Sequence, residues 1–226
     1  MATSGTTTFN LNVAEMTEEV AERLDTTKQI LTADWARSCR RSLNLLFRDW
    51  DNIPTVPWKN RVASQAVVSG VSTVTMPTDL IEITSASLRR DGVDIDLMQI
   101  GEGDYQSIPN KSDTGRPDRF WLHKLSPAVM YLWQTPENST DTIEYWSIRR
   151  IEDVTAAIQN VDGVQRWLAA TQDALTLKMF DKLPFSKRDQ SIRANIEKVA
   201  DDSFDNARDA DRSRADTVII PGFSHR

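Results

Sequence analysis

The apolar residues of this 226-residue chain change their spacing twice, from helical to strand-like near Ser64 and back to helical beyond Asp162. Apolar residues three or four positions apart indicate one face of a helix, whereas strict alternation indicates a strand. Because each pattern buries its apolar side only in its own geometry, the chain must contain both kinds of structure. The spacing therefore predicts an α+β protein in which a β module is inserted between helices.

The first part of the chain, residues 10–60, is expected to form two helices. Behind Asn12, a residue type that caps helices, apolar residues recur at helical spacing over 13–24. Thr32 is placed to cap a second helix, which ends before Pro54. One side of this second helix is apolar and carries Trp35, Cys39, Leu43, Leu46 and Trp50.

The second helix also carries four arginines, with no acidic residue between positions 35 and 48. They lie on or beside the side opposite the apolar residues: Arg37, Arg40, Arg41 and Arg48. Such a surface can face a DNA channel, but a solvated helix face or a contact between subunits is the preferred interpretation. The net charge of −6 also argues against general affinity for nucleic acid, which Lys and Arg drive.

Residues 61–150 are expected to form the β module. Asp91–Gly92 is a strong hairpin signal between two strands, and Ser69–Gly70 is a second candidate hairpin turn. Five to seven short strands are therefore expected to form a small antiparallel sheet or sandwich. The clearest strand segments are Ile81–Arg89, Val93–Gln99, Arg119–Lys124, Val129–Gln134 and Thr142–Arg149.

The third part, residues 151–216, is assigned to the helical domain again. A basic pair and an acidic linker lead into one helix that ends near Pro184, and a longer helix follows over 192–207. Its acids and bases are nearly balanced, which is typical of a solvated or subunit-facing helix. Residues 217–226, TVIIPGFSHR, form an extended tail whose apolar centre has no function if the tail stays in solvent.

The sequence contains no motif for a catalytic, cofactor or metal site. Gly101–Glu102–Gly103 lacks the third glycine of a dinucleotide loop and is interpreted as a turn. One cysteine, Cys39, and two histidines provide no ligand set for structural zinc, and both Cys39 and the strand residue His123 are interpreted as structural. We therefore expect no cofactor, no metal and no catalytic residue.

A membrane location is not expected either. No window approaches the roughly 20 apolar residues of a membrane-spanning helix. The polar stretch Met1–Thr8 lacks the basic and apolar regions of a signal peptide. We therefore expect the protein to be cytosolic where it is made.

A series of short motifs resembles a known family. In chain order the motifs are Met76–Ile81, Gly103–Tyr105, Gly115–Pro117, Val129–Pro136, Tyr145–Trp146 and Arg150–Asp153. Their order resembles the head-to-tail adaptor proteins of tailed bacteriophages, and the layout is similar to the tail accessory factors and tail tubular A proteins of short-tailed phages. The likeness continues through Arg166–Trp167 and Asp211–Arg214 and covers most of residues 10 to 220.

This resemblance implies a structural virion protein, not an enzyme. Usually twelve copies form a ring in the neck that joins the portal to the tail nozzle or tube, and double-stranded DNA passes through the channel without specific binding. Before assembly the protein is expected in the host cytoplasm. The tail is expected to bind the portal through Val218, Ile219, Ile220, Pro221 and Phe223. Subunit contacts are expected at Arg149, Arg150, Glu152, Asp153, Arg208 and Arg212, with the basic pair forming a polar latch to the Glu152–Asp153 linker or to the neighbouring subunit.

Two alternatives stay open at this stage. A peptidoglycan-hydrolysing tail accessory protein would need one acidic side chain with a raised pKa, and no carboxylate here matches a catalytic motif. A carbohydrate-binding virion module would need exposed rings among the seven tryptophans, most of which fall on positions typical of core or interface anchors.

Overall fold

A computed structural model describes the chain over residues 5–24, 32–53 and 57–211. Its helices are α1 (Val13–Arg23), α2 (Ala33–Asp51), α3 (Glu102–Ser107), α4 (Leu168–Phe180) and α5 (Gln190–Ala210). Its strands are β1 (Asn60–Ala66), β2 (Thr73–Thr75), β3 (Leu80–Arg90), β4 (Val93–Asp96), β5 (Met98–Gln99), β6 (Thr114–Gly115), β7 (Arg119–His123), β8 (Val129–Trp133), β9 (Thr135–Pro136) and β10 (Thr142–Arg149). This order confirms the α+β fold with strands inserted between helices.

Both N-terminal helices begin where their capping residues predict. The side chain of Asn12 accepts a hydrogen bond from the backbone N–H of Glu15 (2.9 Å), and Glu15 returns one by accepting from the backbone N–H of Asn12 (2.9 Å). Thr32 Oγ1 accepts from the N–H of Trp35 in the same way (3.2 Å). These bonds satisfy backbone donors that have no partner inside the helices.

The N-terminal and C-terminal helices share one hydrophobic core. An aromatic cluster lies at its centre and is drawn from four segments: Trp50 of α2, Trp58 of the 3₁₀ turn before β1, Trp167 of the 3₁₀ turn before α4, and Phe204 of α5. Its ring centroids are 4.8–6.4 Å apart. Such edge-on and tilted contacts are favourable for aromatic pairs. The helices therefore form one bundle although about 100 residues separate them in sequence.

The strands form a β-sandwich with its own core. One sheet has the order β1-β10-β3-β4 and is antiparallel, and the other has the order β2-β8-β7-β5, in which β5 runs parallel to β7. A short parallel pair, β6 and β9, lies beside them. Alternate residues of both sheets point inward and are buried together, among them Ile83, Ile143, Phe120 and Met130.

Of the two hairpin turns expected from the sequence, the structure contains one. Asp91–Gly92 does join the paired strands β3 and β4, with positive φ at both residues. Ser69–Gly70 is a turn, with φ +78° at Gly70, but it is not a hairpin, because β1 and β2 belong to different sheets. The turn residues predict the change of direction, whereas the choice of partner strand depends on distant β8 and β10.

Residues 101–103, which were expected to form a turn, instead begin the short helix α3, whose N-cap is Gly101. A helix this short is not stable alone. It is held by Tyr105, which is buried against the rings of Trp121 and Tyr131 at centroid distances of 5.6 and 5.7 Å. The contact is tertiary, so the local sequence contained no sign of it.

The predicted acidic linker is a packed segment, here named the strap, residues 151–163. Its apolar residues Ile151, Val154 and Val161 are buried in the helical core. The side-chain amide of Asn44 on α2 holds its backbone, accepting from the N–H of Val154 (2.9 Å) and donating to the same residue's carbonyl (3.0 Å). The strap thus fixes the path of the chain from β10 to α4.

Candidate assembly surfaces

The residues expected to bind the portal lie outside the described part of the chain. These are Val218, Ile219, Ile220, Pro221 and Phe223, and Arg212 lies outside it as well. The described chain ends at Asp211, the C-cap of α5. Its buried carboxylate accepts from Trp167 Nε1 (2.5 Å) and pairs with Arg166 (2.7 Å). The C-terminal end of α5 is therefore fixed against the beginning of α4.

The structure divides the four arginines of α2 into two pairs. Arg40 donates from Nη1 to the carbonyl of Thr155 (2.8 Å). Arg48 donates to the carbonyl of Ile151 and pairs with Asp153 (3.3 Å). Both side chains therefore bind the strap of their own subunit. Their role was hidden in the sequence because their partners lie more than 100 residues away.

The other two arginines stay on the solvent side of α2. Arg37 pairs with Asp34, and both side chains are exposed. Arg41 is exposed and makes no hydrogen bond or ion pair within the ranges described. It lies near Lys182: burial lowers the pKa of Lys182, and the positive charge of Arg41 lowers that pKa further. This edge of the bundle therefore carries uncompensated positive charge.

The basic pair at the end of β10 does not form the latch to Glu152 and Asp153 that was one interpretation of it. Arg149 binds Asp162 through both terminal guanidinium nitrogens, Nη1 and Nη2 (2.6 and 2.9 Å). This ion pair links the end of β10 to the end of the strap. Burial raises the pKa of Asp162, but the bonds from Arg149 and from the N–H of Glu152 outweigh it and leave that pKa below its usual range. The side chain of Arg150 is exposed and available to another subunit.

Sequence reasoning missed a buried lysine beside this junction. Lys59 is fully buried, and its ammonium donates to the carbonyls of Trp50 (3.1 Å), Asp51 (3.0 Å) and Ile53 (2.9 Å). These carbonyls lie at and just beyond the C-terminal end of α2, where few backbone donors are available, although Trp50 also accepts from the N–H of Ile53 (3.0 Å). In the sequence, the only indication of this role is a lysine shortly after the C-terminus of a helix. Lysines at such positions are also common on protein surfaces.

The expected subunit contact Arg208 lies in the last turn of α5 and pairs with Asp205 of the same helix (2.9 Å). The rest of α5 is lightly packed, since Ala200 and Ala207 are its only buried residues. A helix of this length with so little burial presents a broad free side.

The β module carries aromatic residues on its outer surfaces. His123 stacks on Trp121 (5.0 Å), which stacks on Tyr131 (4.9 Å), so the histidine belongs to a ladder of rings as its structural interpretation requires. Trp146 is 57% exposed and lies opposite Val62 in the register of β1 and β10. The β module therefore presents aromatic rings on its outer surfaces, and Ser85 lies opposite Trp146 in the register of β3 and β10.

Among the described residues, displaced pKa values belong to one buried thiol and to carboxyl groups held by ion pairs or hydrogen bonds. Cys39 is buried, and burial raises the pKa of its thiol, which disfavours the thiolate. The pKa values of Asp94, Asp162 and Asp189 are displaced downward, opposite to the displacement that a general acid needs. Within the described ranges no group of three His, Cys, Asp or Glu residues could hold a metal ion. None of the helices described there is long and apolar enough to cross a membrane.

Comparison with known proteins identifies the family. The model of the family described as SU10 adaptor protein matches residues 11–221, almost the whole chain. No curated protein matches the sequence. The match confirms the resemblance to phage adaptors, whereas the finer likeness to tail accessory factors and tail tubular A proteins stays a prediction. The chain therefore belongs to the SU10 adaptor protein family of phage structural proteins.

Proposed function

We propose that this protein is the head-to-tail adaptor of a phage neck. A ring of about twelve copies joins the portal to the tail nozzle or tube and surrounds the channel through which the genome is retained and ejected. The observation that carries this proposal is the family match over residues 11–221. We expect such an adaptor in the host cytoplasm before assembly and in the virion neck afterwards.

The architecture supports a part that joins two different partners. The helical bundle and the β-sandwich have separate cores, and each has an outer surface of its own. The strap and the buried Lys59 hold the two halves together, so a load on one half is passed to the other. The net charge of −6 lets DNA move past the ring without adhering.

The tail is the proposed portal anchor. The apolar residues between Val218 and Phe223 would gain burial only on assembly, at about 25 cal/mol per Å² of apolar surface. In a ring the anchors act together, so even a weak single contact becomes a stable attachment. The free protein is then a monomer or small oligomer, because the ring forms on the portal.

The proposed subunit contacts are members of the predicted set whose side chains are exposed or partly exposed. Arg150 and Glu152 lie at the join of the two halves, and Arg208 lies near the end of α5. Asp153 is exposed beside them and pairs with Arg48. Arg149 contributes indirectly, because its bonds to Asp162 fix the strap.

The test uses portal-bearing phage heads that lack tails. Purified adaptor is added, and the mass of the bound ring is measured; about twelve copies per portal supports the proposal. Deletion of residues 217–226 is expected to abolish binding and to leave the circular dichroism spectrum unchanged. Deletion of residues 224–226 alone is the control, because it keeps the apolar residues. Full binding after the longer deletion would exclude the tail as the anchor, and failure of the intact protein to bind would exclude the adaptor role.

A further inference from the structure

The exposed residues along one side of α5 are spaced as in a helix that packs against a second helix. This side is named the outer side of α5. Ile192, Asn195, Val199, Asp202, Asn206 and Asp209 are alternately three and four residues apart, and all are exposed. The apolar members are at the start of this outer side, with Ile192 52% and Val199 46% exposed. A separate stripe of α5, which includes Ala200 and Ala207, packs on the bundle. The three-four repeat is that of helix pairs in coiled coils.

The second half of α5 is strongly acidic. Residues 197–211 contain six acids and two bases. Asp202 is exposed and makes no hydrogen bond or ion pair within the described residues. The outer side of α5 therefore changes along its length from apolar to negative. A partner helix must be apolar opposite the first half and basic opposite the second.

The outer side of α2 has this pattern in reverse order. Arg37, Arg41 and Leu45 follow one another at intervals of four and are exposed. Leu45 is 54% exposed, which is unusual for leucine in the middle of a 19-residue helix. Arg41 has no acidic partner in its own described chain, and it lies near the ammonium of Lys182. From Arg37 to Leu45 the outer side of α2 therefore changes from basic to apolar, and the exposed Asp49 that follows pairs with Lys178 of its own chain.

We propose that the outer side of α5 packs antiparallel against the outer side of α2 in the neighbouring copy. This inference rests on the proposed ring. With Leu45 beside Val199, the helical rise of 1.5 Å per residue places Arg41 about 6 Å away along α2 and Asp202 about 4.5 Å away in the matching direction on α5. Arg37 then reaches the acids that follow. A parallel arrangement would place the arginines on apolar residues instead.

A closed ring requires two different complementary surfaces on each subunit. The outer sides of α2 and α5 meet this requirement, because each has what the other lacks. DNA fits less well, because the acidic half of α5 would repel phosphate. The partner of both surfaces is thus a second copy of this chain.

Reciprocal charge reversal tests the contact on portal-bearing heads. Arg41→Glu alone and Asp202→Lys alone are each expected to lower ring occupancy about tenfold, since opposed like charges disfavour association. The double variant R41E/D202K is expected to restore occupancy. So is an equal mixture of the two single variants, in which each copy meets only copies of the other kind. Lys124→Glu, on the β-sandwich, is the control and should bind as the original protein does.

The outcomes separate this inference from the adaptor role. Circular dichroism first shows that each variant is folded. If the unchanged protein forms the ring and both single variants do so equally well, the α2–α5 contact is wrong and the adaptor role stands. If Arg41→Glu leaves the ring intact but releases packaged DNA, α2 faces the channel and the inference is overturned. Failure of the unchanged protein to form a ring contradicts the proposed function itself.

Discussion

At the scale of single residues, the side chain of Lys59 supports the junction between α2 and β1. The side chain is buried where α2 ends and β1 begins, and three backbone carbonyls accept its hydrogen bonds. Burial lowers the pKa of Lys59, and the carboxylate of Asp51 offsets this only in part. A charged group is tolerated there because it satisfies carbonyls that the helix end leaves open.

Lys59→Met tests this role. Methionine keeps the length of the side chain but donates no hydrogen bond, so the three carbonyls lose the bonds that the ammonium donates. The free energy of unfolding is expected to fall by about 3 kcal/mol. Urea denaturation followed by circular dichroism measures it. Lys124→Met, at an exposed ion pair, should change the value by less than about 1 kcal/mol; equal effects of the two substitutions would contradict a special role for Lys59.

Among the elements, α5 is held on the bundle by contacts near its C-terminal half. Phe204 reaches into the aromatic cluster, with centroid distances of 5.6 Å to Trp50 and 5.2 Å to Trp167. Asp211 adds the hydrogen bond to Trp167 at the end of the helix. These contacts orient α5 so that its opposite side faces outward.

Phe204→Ala is expected to loosen α5 from the bundle. Loss of the ring should lower the free energy of unfolding by about 3 kcal/mol. The emission of the neighbouring tryptophans should move to longer wavelength as water reaches them. Val199→Ala, on the outer side of the same helix, is the matched control, with an expected change below about 1 kcal/mol. Unchanged emission in Phe204→Ala would mean that α5 is held by other contacts.

For the whole molecule, the joint between the two cores depends on pH through Asp162. The folded pKa of this carboxyl lies below its unfolded value of about 4. The Arg149–Asp162 pair therefore stabilises the protein fully above pH 4, and this contribution is lost as pH falls through the folded pKa.

Asp162→Asn should lower the free energy of unfolding by about 2 kcal/mol at pH 7. The difference from the unchanged protein should shrink as the pH is lowered below 4, because both proteins then lack the carboxylate. Denaturation at a series of pH values measures it. In Asp34→Asn, which removes a fully exposed pair, the effect should be smaller at every pH. A difference independent of pH would show that Asp162 acts through packing and not through its charge.

The longer helices and strands of this fold could be predicted from local sequence, but the pairing of the strands could not. Asn12, Thr32 and the Asp91–Gly92 turn act on their immediate neighbours, so their positions in the sequence were sufficient. Gly70 shows the limit, because its turn was predictable and the separation of β1 from β2 was not. The helix α3 was missed because its stability comes from rings in distant strands.

For the candidate surfaces, the sequence alone determined which residues are available, and the tertiary structure decided how each is used. The spacing of the arginines on α2 placed them on or beside one side of a helix. Only the fold assigned Arg40 and Arg48 to the strap and left Arg37 and Arg41 facing outward. The physical reason is the distance over which each effect acts. Helical and strand spacing depends on residues a few positions apart, whereas the partner of a charged side chain is set by the tertiary fold and can lie more than 100 residues away in sequence.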